Sequence, residues 1–343
     1  MATVNRILIV RLGSLGDIVH TLPLAAALRR AFPRARIDWV VDERHREILD
    51  LVPVVDRSIV WRTRSVPAWR SVGGLIAELR RERYDVVLDP QGLLKSAVLA
   101  RMAGGRRVIG FSRTHLREPA ARLFYGEQCR PDTVRHVVEL NLSLASSLGV
   151  DFGSWEFPLE VLDKAGSTDV RRRLGLEKGH YAVINPGAAW PSKRWPPKRF
   201  GAIAQQLRRR HQLPVAVTWG PGEESLAGSV VAASDGAAIV AGMTSLTELV
   251  AVLQDAVLLV SGDTGPLHIA AALGTPIVGI YGPTDPNRNG PWAPADSTVS
   301  RFTDCRCHHR RWCRATRWCV GDISADAVAA AVDDRLSTIA LHA

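Results

Sequence analysis

The chain has 343 residues, 46% hydrophobic and 23% charged, an ordinary balance for a soluble globular protein and a length that suits two domains of roughly 150 residues each. Its net charge of +10 favours an anionic partner such as a lipid or glycan surface, although an arginine-rich composition also follows from codon usage. No basic stretch is interleaved with aromatics as in a nucleic-acid module, and the four apolar residues between Arg6 and Arg11 are too few for a secretory signal.

Apolar strands alternate with amphipathic helices throughout, the pattern of a parallel sheet covered on both faces. In the first half, strands are expected over 6–10, 37–41, 86–89 and 108–111, with helices near 22–31, 43–51, 71–81, 93–102, 118–125 and 134–148. Periodicity is lost over 149–167, which reads as an interdomain connection. A second series follows, with strands over 181–185, 215–219, 238–240, 257–260 and 277–281 and helices near 197–211, 223–233, 245–253 and 267–273. Residues 264–284 carry no Asp, Glu, Lys or Arg, but Pro266, Gly274, Pro276, Gly279, Gly282 and Pro283 interrupt the run, so it reads as core and not as a membrane span. The expected architecture is α/β: one Rossmann-like domain over 1–164, a second over 165–322, and a last helix over 323–343 that is free to return to the first domain. Two facing Rossmann-like domains would leave a cleft lined by the carboxyl ends of both sheets.

Two strand-to-helix turns carry the chemistry. The first, Arg11-Leu12-Gly13-Ser14-Leu15-Gly16-Asp17, is a Gly-x-x-Gly turn lacking the first glycine of a dinucleotide fingerprint. Asp17 there is either a helix cap or a general base for a substrate hydroxyl. The second turn is Ser261-Gly262-Asp263-Thr264-Gly265-Pro266-Leu267-His268. Its glycines expose backbone N–H groups beside a helix N-terminus, where phosphate binds well, and His268 falls one turn into that helix. Lys193 stands between the strand end at Asn185-Pro186-Gly187 and the helix start at Trp195-Pro196. It is either a ligand contact or a solvated surface charge.

These motifs resemble the heptosyltransferases of bacterial lipopolysaccharide synthesis, in glycosyltransferase family 9. The likeness runs over nearly the whole chain: RLGSLGDIVHTLPLAAAL, DWVVDE, DPQGLLKSA, REPAARLFY, KRWP, WGPGEE and SGDTGPLHIAAALGTPIVGIYGPTDP. QGLLKSA and REPAARLFY look most like heptosyltransferase I, which adds heptose to the Kdo sugar of lipid A. The resemblance implies a GT-B fold, an ADP-heptose donor, inversion of the anomeric centre, no essential metal, and a cytoplasmic enzyme peripheral to the anionic inner membrane face. It implies Asp17 as catalytic base. It implies a donor site of Lys193, Glu224 (ribose), Met243 (adenine side), Asp263, Thr264, Gly265 and His268. Arg62, Arg64, Lys95, Arg117 and His136 correspond to basic residues facing the anionic acceptor. Ala188 and Ala189 stand where close relatives carry two hydroxyl residues, which bears on the donor sugar. Rival readings are another nucleotide-sugar transferase of the family, heptosyltransferase II included, a sugar-nucleotide epimerase, and a nucleic-acid-binding protein built on the basic tail.

That tail holds Cys305, Cys307, Cys313 and Cys319 with His308 and His309, spaced C-x-C-x5-C-x5-C, unlike a standard zinc finger or ribbon. A structural metal site, disulfides and free thiols all remain open. The cluster is expected to be structural and to lie away from the reacting centre. Cys129 is isolated.

Overall fold

The computed structural model describes residues 4–62, 68–131, 134–151, 153–160, 164–313, 315–316 and 318–340. The chain forms two compact units, Met1–Glu160 and Val161–Ala343.

The first unit runs β1 (Arg6–Val10), α1 (Leu15–Val19), α2 (Leu22–Ala31), β2 (Arg36–Asp42), β3 (Arg57–Trp61), α3 (Ala68–Glu82), β4 (Val86–Leu88), α4 (Leu94–Met102), β5 (Arg107–Phe111), β6 (Glu127–Cys129) and α5 (Val137–Ser146). Its six strands are all parallel, in the order β3-β2-β1-β4-β5-β6. The central strands RILIV and VVL are apolar throughout because both faces of the sheet are covered. Ile7, Leu8, Ile9 and Val10 are fully buried.

The second unit runs α6 (Lys164–Arg173), β7 (Ala182–Asn185), α7 (Pro197–His211), β8 (Val215–Val217), α8 (Glu224–Ala232), β9 (Ala238–Val240), α9 (Leu246–Gln254), β10 (Leu258–Gly262), α10 (Gly265–Leu273), β11 (Ile277–Tyr281), α11 (Pro286–Asn289), β12 (Ser297–Ser300) and α12 (Ala325–Ala340). Its strand order, β12-β11-β10-β7-β8-β9, is again all parallel. Renumbered within the unit, that is the same doubly wound order as the first. Each sheet therefore reverses direction between its first and fourth strands, β1/β4 and β7/β10, where open α/β sheets bind ligands.

Three strands escape sequence reading: β3 (RSIVW), β6 (EQC) and β12 (STVS). All are edge strands, short and mixed in polarity, because only one neighbour and a partly wet face constrain them. Segments expected as α-helices over 43–51 and 118–125 wind as tighter 3-10 turns, Glu43–Leu51 and Pro119–Phe124. The second lies between Pro119 and Gly126, too short a span to complete two α-turns.

The terminal helix α12 packs on α7, β11 and β12 of its own unit. Val328 and Val332 join the second core with Phe200, Val278 and Ile280. Arg335 closes on the buried Asp296 at 3.1 Å, and Asp333 accepts from Gln206 at 2.8 Å and contacts His211 at 2.7 Å.

Candidate functional site

In the first unit, polar groups gather where β1 and β4 end. The buried guanidinium of Arg11 donates to the Pro90 carbonyl at 2.6 Å and pairs with Asp17 Oδ1 at 2.9 Å. Asp17 Oδ2 accepts from the Ser14 backbone N–H at 3.1 Å and from its hydroxyl at 3.0 Å. Asp17 is thus the third residue of α1, with Ser14 in the cap position. Its carboxylate is 44% exposed, so it is braced from behind and open in front, as a base must be. Gly13 is required here, because a Cβ would meet His45 Cδ2 at 2.8 Å. His45 was not anticipated. Its imidazole is held below its ordinary value by burial and then by Arg44, against the opposing pull of Asp42 and Asp17. The available signal was its place just past the carboxyl end of β2.

Asp89, at the end of β4, is a second unforeseen group. It is buried and accepts from Gln91 N–H (2.9 Å), Gly92 N–H (3.2 Å), Ser96 Oγ (2.9 Å) and Tyr125 Oη (2.8 Å). Burial nevertheless pushes its carboxyl up from 3.8 to about 6, over the opposing effect of those four donors. Folding therefore favours its protonated form. That contribution is complete below pH 3.8 and is lost as pH rises through about 6. Relative to Asp89→Asn, the wild type is expected to lose on the order of 3 kcal/mol between pH 4 and 7. Denaturant unfolding of both proteins across that range measures it, and parallel pH profiles would refute the assignment.

The expected acceptor cations divide. Lys95 and Arg117 are exposed, and they flank a hydrogen bond from Leu94 N–H to Glu118 Oε2 (2.7 Å) that brings their two segments together. Arg62 is exposed just beyond β3. Arg64 lies outside the described residues. His136 is half-buried, and its Nδ1 accepts the Val138 amide at 3.2 Å, so the ring caps α5. An apolar cavity of about 290 Å³ opens between β3, α3 and α4, lined by Trp61, Leu75, Leu94, Val98 and Met102 with Lys95 as its cation.

In the second unit the corresponding position is occupied by Lys193, Asp263 and His268. Lys193 Nζ lies 2.6 Å from Asp263 Oδ2, and His268 Nε2 lies 3.0 Å from Asp263 Oδ1. Lys193 also sits over the Trp190 ring, 4.8 Å from its centroid. Burial alone would raise the Asp263 carboxyl, but the Lys193 ammonium and the His268 bond outweigh it and hold Asp263 well below the usual carboxylate range. Thr264 takes the cap position of α10, and Gly265 and Pro266 form its first turn. Proline has no N–H to leave unsatisfied there, and the remaining first-turn amides have no partner within the helix.

Glu224 and Met243 are exposed, Met243 to 72%. The acid turned inward is the neighbour, Glu223. It accepts from Gly220 N–H at 3.2 Å and faces Arg194 at 3.5 Å, while Arg194 Nε donates to the Ala188 carbonyl at 2.9 Å. A Cβ at Gly187 would push the Glu223 carboxylate out of this position. Adjacent glutamates at a helix start cannot be told apart by spacing alone.

The cysteine tract is nearer this site than expected. The Ser192 hydroxyl donates to the Arg310 carbonyl at 2.9 Å and the Ser192 amide to the Arg311 carbonyl at 3.4 Å. The tract is thus tied to the residue preceding Lys193. Burial pushes the Cys319 thiol up to about 12 and Cys307 higher still.

Two doubly wound parallel units, each with polar residues at its switch point, make the α/β architecture of the GT-B fold. Residues 72–318 match the family model for glycosyltransferase family 9 (heptosyltransferase). The chain is 33% identical to lipopolysaccharide heptosyltransferase 1 of Pseudomonas aeruginosa over 247 residues, 68% of this chain and 67% of the relative. The solved structure of E. coli heptosyltransferase WaaC with ADP covers 98% of this chain and 99% of its own, with a TM-score of 0.76 at 28% identity. A family 9 glycosyltransferase from Veillonella parvula covers the same shares with a TM-score of 0.82 at 25% identity. The chain belongs to glycosyltransferase family 9, and it is a heptosyltransferase of lipopolysaccharide core synthesis. The epimerase reading falls with that assignment. Among the described residues no helix is long and apolar enough to cross a membrane.

Proposed function

We propose that this heptosyltransferase moves L-glycero-D-manno-heptose from ADP-heptose to the Kdo inner core of lipid A, inverting the anomeric centre. The observation that carries the proposal is the Lys193–Asp263–His268 cluster beside the first turn of α10. Solved structures of the E. coli relative hold ADP and ADP-2-deoxy-2-fluoro heptose. As the acceptor oxygen attacks the anomeric carbon, Asp17 takes its proton. The bond from that carbon to the diphosphate oxygen breaks, and ADP leaves with the electron pair. Lys193 and the α10 amides meet the charge that develops on the diphosphate. When Lys193 turns to the diphosphate, His268 continues to hold Asp263. The ribose falls to the Glu223-Glu224 pair.

An anionic, acylated acceptor suits Arg62, Lys95 and Arg117 beside an apolar cavity. Incubation with Kdo-lipid A and a panel of ADP- and UDP-sugars, followed by mass analysis, tests the reading. One added heptose from ADP-heptose alone is expected. Transfer of another sugar would overturn the donor, an outcome to which Ala188 and Ala189 give specific interest because they supply no hydroxyl to it. Transfer only to an already heptosylated core would overturn the acceptor.

The enzyme is further proposed to work at the cytoplasmic face of the inner membrane, held by its positive charge. Flotation with anionic vesicles should then weaken steeply between low and physiological salt, as the Debye length falls to about 8 Å. Binding indifferent to salt would exclude this attachment.

A further inference from the structure

Group transfer makes no use of the cysteine tract, yet its sulfurs are gathered. Cys305 and Cys307 are buried, their Sγ atoms lie 3.6 Å apart, and the Cys307 N–H donates to Cys305 Sγ at 3.4 Å. Cys313 acts electrostatically on the Cys307 thiol, and Cys305 on that of Cys319. Four thiols thus lie in one neighbourhood, with Cys305 and Cys307 in contact at its centre, and none of them is in a disulfide.

We propose that Cys305, Cys307, Cys313 and Cys319 ligate one thiophilic divalent cation, zinc or ferrous iron, in a structural tetrahedral site. Sulfurs about 2.3 Å from a tetrahedral ion stand about 3.8 Å from one another, and the Cys305–Cys307 separation already matches that edge. The backbone N–H to sulfur bond is of the kind that steadies a coordinated thiolate. Charge agrees as well. An ion held by four thiolates carries two negative charges, and residues 301–319 contain six arginines against one aspartate, a tract whose members otherwise repel one another. The described part of 301–318 contains no helix or strand, and so long a loop needs a staple to hold one shape. Among the described residues no three such side chains stand close enough to hold an ion as placed. Loading requires Cys313 and Cys319 to draw in and four thiol protons to leave to solvent.

The ion's consequence for function runs through Ser192, whose two hydrogen bonds to the tract brace the Lys193 turn. The cysteines are therefore positioning residues, and the metal count is read on the protein alone, independently of which donor the enzyme uses.

Elemental analysis of the full chain, purified without chelator and also after anaerobic reconstitution with zinc or ferrous iron, should find about one ion per chain. Cobalt substitution should give the intense sulfur-to-cobalt absorption of tetrahedral thiolate. Cys307→Ser should lower metal affinity about 10- to 100-fold, whereas Cys129→Ser should leave it unchanged. Should Cys307→Ser fail to fold, stepwise mercurial titration of the wild type must release the ion as these thiols react. Stripping the metal should raise KM for the donor several-fold with kcat much less affected. A chain that binds no ion even after reconstitution, a disulfide among the four cysteines by mass, or wild-type metal affinity in Cys307→Ser would each overturn the site.

Discussion

Asp17→Asn is expected to lower kcat by roughly 10²- to 10⁴-fold, the range a positioned general base contributes, while ADP binds as in the wild type. Asparagine keeps the shape and one acceptor oxygen, so it can still receive either Arg11 or Ser14. Its amide, however, turns a donor toward whichever of them is left. Buried Arg11 loses its counterion, but the Asp17 side of the pair is 44% exposed, so the cost is on the order of 2 kcal/mol. The melting temperature should therefore move by only a few degrees, which separates a chemical loss from a structural one. ADP affinity should hold because the phosphate-side residues, Lys193 and the α10 turn, belong to the other unit. Single-turnover transfer and ADP titration on the same preparation measure both quantities. Near-normal turnover would leave Asp17 a bracing residue of α1 and shift attention to His45, whose ring packs on Gly13.

Most of the fold was legible in the sequence because its central strands are buried on both faces. RILIV, AVIN and IVGIY can be little else in so regular an alternation. Three of the four edge strands were not legible, since Arg57, Glu127 and Ser297 lie where a strand meets solvent and its pattern degrades. The terminal helix was legible as a helix and not as a partner: nothing in 324–341 announces that Val328 and Val332 meet Phe200.

At the site, the pairing of residues within one turn was legible, as for Asp263 with His268, because helical spacing fixes it. Contacts across the sheet were not. Arg11 reaches Pro90, and Ser192 reaches Arg310 across 118 residues, joined only by the strand order. Asp89 was hidden for a related reason. A lone aspartate at a strand end reads as a cap until Tyr125 and Ser96 are seen to close over it.

Lys193→Ala is the second large effect expected, and it falls on stability and donor binding together. The change removes the ammonium 2.6 Å from a carboxylate that is only 3% exposed, leaving Asp263 with His268. Breaking one side of a buried ion pair costs about 3–5 kcal/mol, and the lower end is expected here because Lys193 keeps 18% of its side chain in solvent. The pH dependence follows. In the wild type the depressed Asp263 contributes stability above pH 3.8, lost as pH falls through its much lower folded value. Without the lysine, burial is less opposed, the carboxyl rises, and that acid-side protection shrinks. Adding Asp263→Asn to Lys193→Ala removes the orphaned charge, so the double variant should regain much of the lost stability. It should not regain ADP affinity, because the cation that meets the diphosphate is still missing. Denaturant unfolding and ADP titration across the four proteins of this cycle give the coupling directly. If the double variant were no more stable than Lys193→Ala, the pair would not be coupled. If both lysine variants bound ADP like the wild type, Lys193 would serve the fold alone.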